Sequence, residues 1–139
     1  MPYLENLTKE HRECDQAFMY IERKAMQDDW DGASIALHEF VDSMNNHFSY
    51  EENELFPALE EIKPMVAAGP IPVMLGEHMQ MRELFDDLGE AVTGKNLELL
   101  ADAVQTLLFV MQQHNAKEEN VLYPLADQAL ATPKMAMQS

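Results

Sequence analysis

Residues 47–57 read HFSYEENELFP and residues 114–124 read HNAKEENVLYP, so one eleven-residue pattern occurs twice in the chain. Both copies fit H-x-x-x-E-E-N-x-L-[FY]-P, with six positions identical and an aromatic residue at a seventh. A Glu-His pair lies upstream of each copy, at Glu10-His11 and at Glu77-His78, and its histidine precedes the motif histidine by 36 residues in both cases. A constant offset of this kind is typical of a duplicated structural unit. We therefore expect two similar halves, each built from two helices.

The composition limits the class of protein. The 139 residues fit one domain, and 47% hydrophobic residues are enough for a buried core. Nine basic and twenty-five acidic residues give a net charge of −16, which repels nucleic acid and anionic membranes. Cys14 is the single cysteine, so no internal disulfide can form, and no basic segment followed by an apolar run opens the chain. We expect a cytoplasmic protein with no membrane span and no nucleic-acid partner.

Apolar positions that recur at alternating steps of three and four predict four amphipathic helices. They cover residues 3–28, 33–57, 71–92 and 97–125, to within a few residues at each end. The longest break, residues 63–72, contains three prolines and a glycine and separates the two halves. The pattern predicts an all-α, up-down-up-down antiparallel four-helix bundle over residues 1–131, followed by a frayed tail at 132–139.

Each copy of the motif ends in a proline, Pro57 in the second helix and Pro124 in the fourth. Proline lacks an amide hydrogen and crowds the preceding turn. Each of these helices should therefore kink or weaken where its motif ends.

The four histidines of the repeat are expected to meet in one layer of the bundle. His11 and His78 lie early in the first and third helices, whereas His47 and His114 lie ten residues before the closing prolines. At ~1.5 Å per residue, all four depths are about 10 to 15 Å from the same end of an antiparallel bundle.

Two carboxylates join the four imidazoles. Glu51 and Glu118 each follow a motif histidine by four residues, which places a nitrogen and an oxygen on the same inward face. Glu52 and Glu119 are rotated further, toward solvent or toward positions behind the ligands. A cluster of this polarity in an apolar layer is unfavourable unless it binds cations. The predicted metal ligands are therefore His11, His47, Glu51, His78, His114 and Glu118.

Nitrogen and oxygen donors without cysteine suit iron, manganese or zinc, and two histidines per ion with two shared carboxylates suit a dinuclear iron site. We assign His11 and His47 to one ion and His78 and His114 to the other. Glu51 and Glu118 would bridge the two ions. The spacing alone leaves other groupings open.

Several neighbours of the motif have simpler interpretations. His38 should lie on the surface, because it falls on the opposite face of its helix. Glu10 and Glu77 are expected to be solvated residues, with a hydrogen bond to a ligand as the less favoured alternative. Tyr50 and Tyr123 could donate hydrogen bonds or, less readily, approach a metal. Four sulfur-containing residues lie one turn deeper: Cys14, Met44, Met81 and Met111. We favour ordinary core packing for them over the alternative, an apolar surface below the ions that admits a diatomic ligand.

With these motifs the chain resembles the hemerythrin family, and within it the hemerythrin-like or HHE cation-binding branch, over residues 3–130. The resemblance is carried by the following residues: His11, His47-x-x-x-Glu51 ending in Leu55-Phe56-Pro57, Glu77-His78, and His114-x-x-x-Glu118 ending in Leu122-Tyr123-Pro124. It implies a pair of iron ions joined by an oxo or hydroxo bridge, with O2, nitric oxide or peroxide as the small ligand.

The chain departs from the oxygen-carrying hemerythrins at two places. Those proteins have two histidines four residues apart on the third helix, and this chain has Met74 at the earlier position. They also carry the carboxylate of the fourth helix five residues after its histidine, whereas the exact repeat here favours Glu118 over Glu119. Four-histidine sites resemble those of family members implicated in iron-centre repair, nitric oxide handling and iron sensing, so the resemblance does not imply reversible oxygen carriage.

Three functions are compatible with these residues. The favoured one is a non-haem di-iron protein that binds O2 or nitric oxide for storage, scavenging or sensing. The second is a redox enzyme that reduces peroxide or nitric oxide, or a donor of iron for the repair of iron centres. The third is a structural bundle that binds zinc. An unidentified redox partner, and either a monomer or a homodimer, are compatible with the first two.

Overall fold

The computed structural model describes residues 3–131, and every element within that range is helical. The helices, numbered along the chain, are α1 (Tyr3–Met26), α2 (Trp30–Tyr50), α3 (Phe56–Ile62), α4 (Pro64–Ala67), α5 (Pro70–Thr93), α6 (Leu97–Lys117) and α7 (Tyr123–Ala126). The prediction of an all-α chain is confirmed. The tail predicted at 132–139 lies outside the described residues.

Side-chain caps fix where two of the long helices begin. The Asp29 carboxylate accepts a hydrogen bond from the Gly32 amide at 2.8 Å, and the Asn96 side chain accepts one from the Leu99 amide at 3.0 Å. Each bond satisfies an amide that the first turn of a helix leaves without a partner. α2 and α6 therefore start directly after short turns, and each packs against the helix before it, α2 against α1 and α6 against α5.

The repeated motif forms the same local structure in both halves. Glu51–Leu55 and Glu118–Leu122 are π-helical turns, each continuing a long helix into a short one that carries the proline in its first turn. The Phe56 amide bonds the Glu51 carbonyl, and the Tyr123 amide bonds the Glu118 carbonyl. A π turn widens the helix by one residue and is a recognised way to absorb a local distortion. The weakening predicted at the prolines is thus a π turn placed before them.

The apolar core is divided into two clusters by the histidine layer. One cluster contains Phe18, Phe40 and Leu107 and fills the end of the helices at the α1–α2 and α5–α6 turns. The other contains Leu59 and Ile71 and lies around the short helices α3, α4 and α7. In α1 and α5 the buried residue before the histidine, Leu7 or Met74, belongs to the second cluster, and the buried residue after it, Cys14 or Met81, belongs to the first. The polar layer is therefore enclosed on both sides by apolar side chains.

The helices of residues 3–131 were also compared with the dimensions of a lipid bilayer. None of them is both long enough and apolar enough to span one.

Candidate metal centre

The structure brings together the six side chains that the sequence predicts as metal ligands. One histidine comes from each of the four long helices, and the two glutamates come from the first residue of each π turn. All six are buried, with exposed fractions between 0% and 4%: His11, His47, Glu51, His78, His114 and Glu118. The site therefore lies inside the protein and not in a surface cleft.

The six residues form two overlapping groups. His11 and His47 form one group with both glutamates, and His78 and His114 form the other with the same glutamates. Within each group the four ligand atoms lie within 4.8 Å of one another, as needed to surround a metal ion. The sequence predicts the same grouping, and the assignment of one metal ion to each group stays a prediction.

Each glutamate reaches both groups. The two oxygens of Glu51 diverge, Oε2 lying 3.2 Å from His47 Nε2 and Oε1 lying 3.1 Å from His78 Nε2. For Glu118 a single oxygen, Oε1, lies 3.0 Å from His11 Nε2 and 3.2 Å from His114 Nε2. Both carboxylates thus lie between the two groups of histidines.

A second set of glutamates holds the opposite nitrogen of each ring. Nδ1–H of each histidine faces one carboxylate at 2.7 to 2.8 Å, in the pairs His11–Glu119, His47–Glu10, His78–Glu52 and His114–Glu77. The less favoured alternative for Glu10 and Glu77 is the one observed, because each bonds a histidine on the neighbouring helix, although the Glu10 side chain is also 48% exposed. Spacing within one helix cannot reveal a partner on another. The recurrence of Glu-His in both halves was the available signal.

The outer carboxylates fix the tautomer of every ring. A carboxylate only accepts hydrogen bonds, so Nδ1 of a neutral imidazole must carry the hydrogen that it receives. Nε2 is then left with a lone pair, and all four Nε2 atoms point into the layer. Carboxylate–imidazole pairs of this kind orient metal-binding histidines and increase their basicity.

The inward-facing atoms are almost all hydrogen-bond acceptors, which gives a direct test of whether cations fit. His11 Nε2 lies 3.1 Å from His47 Nε2. Five buried side-chain atoms of the described residues have no hydrogen-bond partner, and four of them belong to this layer: Glu51 Oε1, His78 Nε2, His114 Nε2 and Glu118 Oε2. Buried polar atoms without partners are rare and unfavourable. The donor set, imidazole nitrogens and carboxylate oxygens without thiolate, fits iron, manganese or zinc.

Without metal, protons would compensate part of this charge. Burial lowers the pKa of His47, but Glu10, Glu118 and Glu51 raise it by more, so the net pKa lies well above its ordinary value. The pKa of His114 is raised in the same way, by Glu118 and Glu77 against burial. Burial raises the pKa of Glu118, yet its three histidine neighbours lower it well below the ordinary value. The layer therefore attracts positive charge whether that charge is a proton or a metal ion.

Tyr123 projects its hydroxyl into one of the two groups. Its side chain is fully buried, and its oxygen lies 3.1 Å from Nε2 of both His11 and His47. The hydroxyl faces Glu51 and, at 2.8 Å, Glu118, and it can donate its one hydrogen to either. Burial and these two carboxylates raise the pKa of the phenol. Tyr50, the other tyrosine considered from the sequence, is 36% exposed and lies outside the layer.

The remaining predictions concern residues next to the site. His38 is exposed, and its Nδ1–H donates to the Ser34 carbonyl at 2.8 Å, as expected for a surface histidine. The four sulfur-containing residues one turn deeper are buried and belong to the apolar cluster at the far end: Cys14, Met44, Met81 and Met111. Burial raises the pKa of the Cys14 thiol to about 11, which suits a packed, unreactive side chain.

Comparison with known proteins identifies the family of this chain. A profile of the hemerythrin HHE cation binding domain matches residues 3–126. The chain belongs to this family. Its hemerythrin-type core covers the four long helices and both copies of the motif, and the metal-binding name of the family agrees with the acceptor-rich layer described above. No solved protein structure matches the chain significantly.

Curated relatives include proteins from several Salmonella strains. The chain is 30% identical over 101 residues to the iron-sulfur cluster repair protein YtfE of Salmonella typhimurium, and 31% identical over 101 residues to the proteins of the same name from Salmonella newport and Salmonella paratyphi B. Each alignment covers 66% of this chain and 44% of the relative. The chain thus spans less than half the length of these curated relatives.

Proposed function

We propose that the protein is a non-haem di-iron protein that binds a diatomic ligand, O2 or nitric oxide, for storage, scavenging or sensing. In this proposal the long helices α1, α2, α5 and α6 form an up-down-up-down antiparallel bundle, and its histidine layer holds two iron ions. The ions are held by six ligands: His11, His47, Glu51, His78, His114 and Glu118. Manganese or zinc would fit the same donors.

One observation carries the proposal. Every histidine of the layer is held by a carboxylate on its outer nitrogen and presents its inner nitrogen, as a lone pair, to the same small volume. Two buried glutamates complete that volume with further acceptors. A structural polar layer would pair donors with acceptors, whereas this layer collects acceptors and leaves them facing each other.

The surroundings support a small, uncharged ligand. Apolar clusters lie on both sides of the layer and exclude water from it. Bound iron would supply one-electron chemistry and open coordination positions. Met74 lies in one apolar cluster, where oxygen-carrying hemerythrins have a further histidine, so this chain presents one nitrogen donor fewer. The Tyr123 hydroxyl is the one protein O–H positioned among the described ligands, and it can donate a hydrogen bond to a small ligand there.

The second candidate is handling of iron for the repair of iron centres, or the reduction of peroxide or nitric oxide. The named activity of the Salmonella relatives favours the repair function. Each alignment covers 44% of the relative, so the repair activity of the whole relative is for this chain a second proposal only.

The test is anaerobic loading of the metal-free protein with ferrous iron, followed by iron analysis and one pulse of O2 or of nitric oxide. The binding function predicts two irons per chain and an optical adduct that disappears when the gas is purged. Irreversible oxidation with continued turnover of peroxide would instead support the enzyme. Transfer of iron to a damaged iron-sulfur protein would support repair, and fewer than two irons per chain would contradict the dinuclear centre. His38→Ala is the matched control histidine, because it lies outside the layer.

A further inference from the structure

The two halves of the histidine layer differ in the charge that lies behind them. In the α5–α6 half, both outer carboxylates are paired with cations. Arg82 donates through Nη1 and Nη2 to the two oxygens of Glu52, at 3.0 and 3.2 Å, and the Lys117 ammonium donates to Glu77. Glu52 and Glu77 are the carboxylates that hold His78 and His114. Each ring of this half is thus the last member of a cation–carboxylate–imidazole chain.

The α1–α2 half lacks these cations. Within residues 3–130, no lysine or arginine forms an ion pair with Glu10 or with Glu119, the carboxylates that hold His47 and His11. Neither carboxylate shares its charge with a lysine or arginine of this range, and each bonds its imidazole. The chain carries nine lysines and arginines in all, and two of them lie behind one half of this layer.

This difference changes how strongly each half attracts a cation. A carboxylate that shares its charge with a guanidinium or ammonium polarises the imidazole less. Arg82 and Lys117 are 37% and 47% exposed, so their main effect is this neutralisation of Glu52 and Glu77, with a weaker, solvent-screened repulsion of a metal ion. The position between His11 and His47 therefore has the more negative surroundings.

The aromatic residue at the end of the motif adds a second difference in the same direction. Tyr123 places a hydroxyl oxygen 3.1 Å from Nε2 of His11 and of His47. The corresponding residue of the other copy is Phe56, whose ring packs 5.9 Å from the His78 ring and has no oxygen to offer. The His11–His47 position therefore has one more oxygen donor within reach than the His78–His114 position.

We propose that the two metal positions are inequivalent, and that the first divalent cation binds among His11, His47 and Tyr123 before a second binds between His78 and His114. This inference rests on the proposed metal function. Arg82 and Lys117 act as positioning residues that weaken the second position, and Tyr123 strengthens the first. Loading of the centre would then proceed in a fixed order.

The order can be read directly by titrating the metal-free full chain, labelled with 15N-histidine, with Zn2+. Binding of Zn2+ at Nε2 shifts the 15N resonance of that nitrogen. The Nε2 signals of His11 and His47 are expected to move during the first equivalent, and those of His78 and His114 during the second. Parallel movement of all four signals, or earlier movement of His78 and His114, would overturn the inference while leaving two-ion binding intact. If Zn2+ moves none of them, the proposed metal function is wrong as well.

Charge variants identify the cause. In the double variant Arg82→Gln and Lys117→Gln, calorimetric titration should show the second Zn2+ dissociation constant falling about tenfold with the first unchanged. The single variant Arg82→Lys keeps the positive charge but loses the paired hydrogen bonds. Its second Zn2+ dissociation constant should therefore stay close to that of the unchanged protein. Lys24→Gln removes an equal charge at the far end of α1 and should change neither constant. A second constant that does not respond to the double variant would contradict the role assigned to the two cations.

Exchange of the aromatic residue tests the other half. Tyr123→Phe makes the two copies alike at this position and is expected to weaken the first Zn2+ step by about tenfold, with the second step unchanged. Circular dichroism of each variant verifies that the helices are retained. An unchanged first constant in a folded Tyr123→Phe protein would remove the tyrosine from the proposal.

Discussion

Adjacent glutamates in the motif have opposite roles. Glu51 and Glu118 are fully buried and face both groups of histidines with their oxygens, whereas the next residues, Glu52 and Glu119, are partly exposed and each bonds the outer nitrogen of a single ring. Moving one residue along the helix thus changes the direction of the side chain from the inner side of the layer, between the two groups, to the outer side of a single ring. Identical chemistry at neighbouring positions performs two different tasks because the backbone presents it to different faces.

The largest effect is expected from removal of an inner carboxylate. Glu51→Ala or Glu118→Ala removes acceptors that both cation positions share, so paired binding should be lost and metal analysis should find one ion per chain or fewer. Glu119→Ala is the matched control, one residue along the same π turn, and should keep two ions. Loss of both ions in Glu119→Ala with retention in Glu118→Ala would reverse the roles assigned to the two residues.

A smaller effect is expected from removal of an outer carboxylate. Glu10→Ala or Glu52→Ala leaves its histidine in place but frees the ring to rotate and to change tautomer, so metal affinity should fall by about 10- to 100-fold at unchanged stoichiometry. Competition with a chromophoric chelator measures that loss. A fall from two ions to one in these variants would mean that the outer glutamates are themselves ligands.

The pH dependence of stability separates the two kinds of charge in the metal-free protein. Four glutamates have pKa values that are lowered in the folded state: Glu10, Glu52, Glu77 and Glu118. Their contribution to the free energy of unfolding is present above the ordinary glutamate pKa of 4.5 and is lost as the pH falls through the folded pKa. The pKa values of His47 and His114 are raised, so their contribution is present below 6.5 and is lost as the pH rises through the folded pKa.

Thermal unfolding of the metal-free protein should therefore show its highest midpoint between about pH 4.5 and pH 6.5, where both contributions are present. Binding of metal replaces the protons on the histidines, and the decline on the alkaline side should then disappear. A metal-free protein whose midpoint keeps rising from pH 6 to pH 9 would contradict the raised histidine values.

The smallest effect is expected at His38. This side chain is exposed and, among residues 3–131, bonds only the carbonyl one turn earlier, so His38→Ala should leave the metal content unchanged and shift stability by less than about 0.5 kcal/mol. Iron analysis and a thermal unfolding curve are sufficient to check it. Any loss of metal would show that histidines outside the layer contribute to the site.

The sequence predicted the layer because its evidence is local. His11 falls on an apolar stripe, and Glu51 follows His47 by four residues, so helical periodicity is enough to place both inside. The partnership between Glu10 and His47 depends on how α1 packs against α2, and the ion pairs of Arg82 and Lys117 depend on contacts across helices. Such contacts have no fixed spacing along the chain. The same limit applies to the π turns, since proline predicts a disturbance of the helix but not its form.

The histidine layer also has a consequence for folding. It lies between two separate apolar clusters. Mutual repulsion among the inner acceptors would make that boundary the weakest plane of the metal-free protein. Cations bound there would join all four long helices and make the two apolar clusters unfold as one cooperative unit. The ions of the proposed function would then also determine whether the chain unfolds in one step or in two.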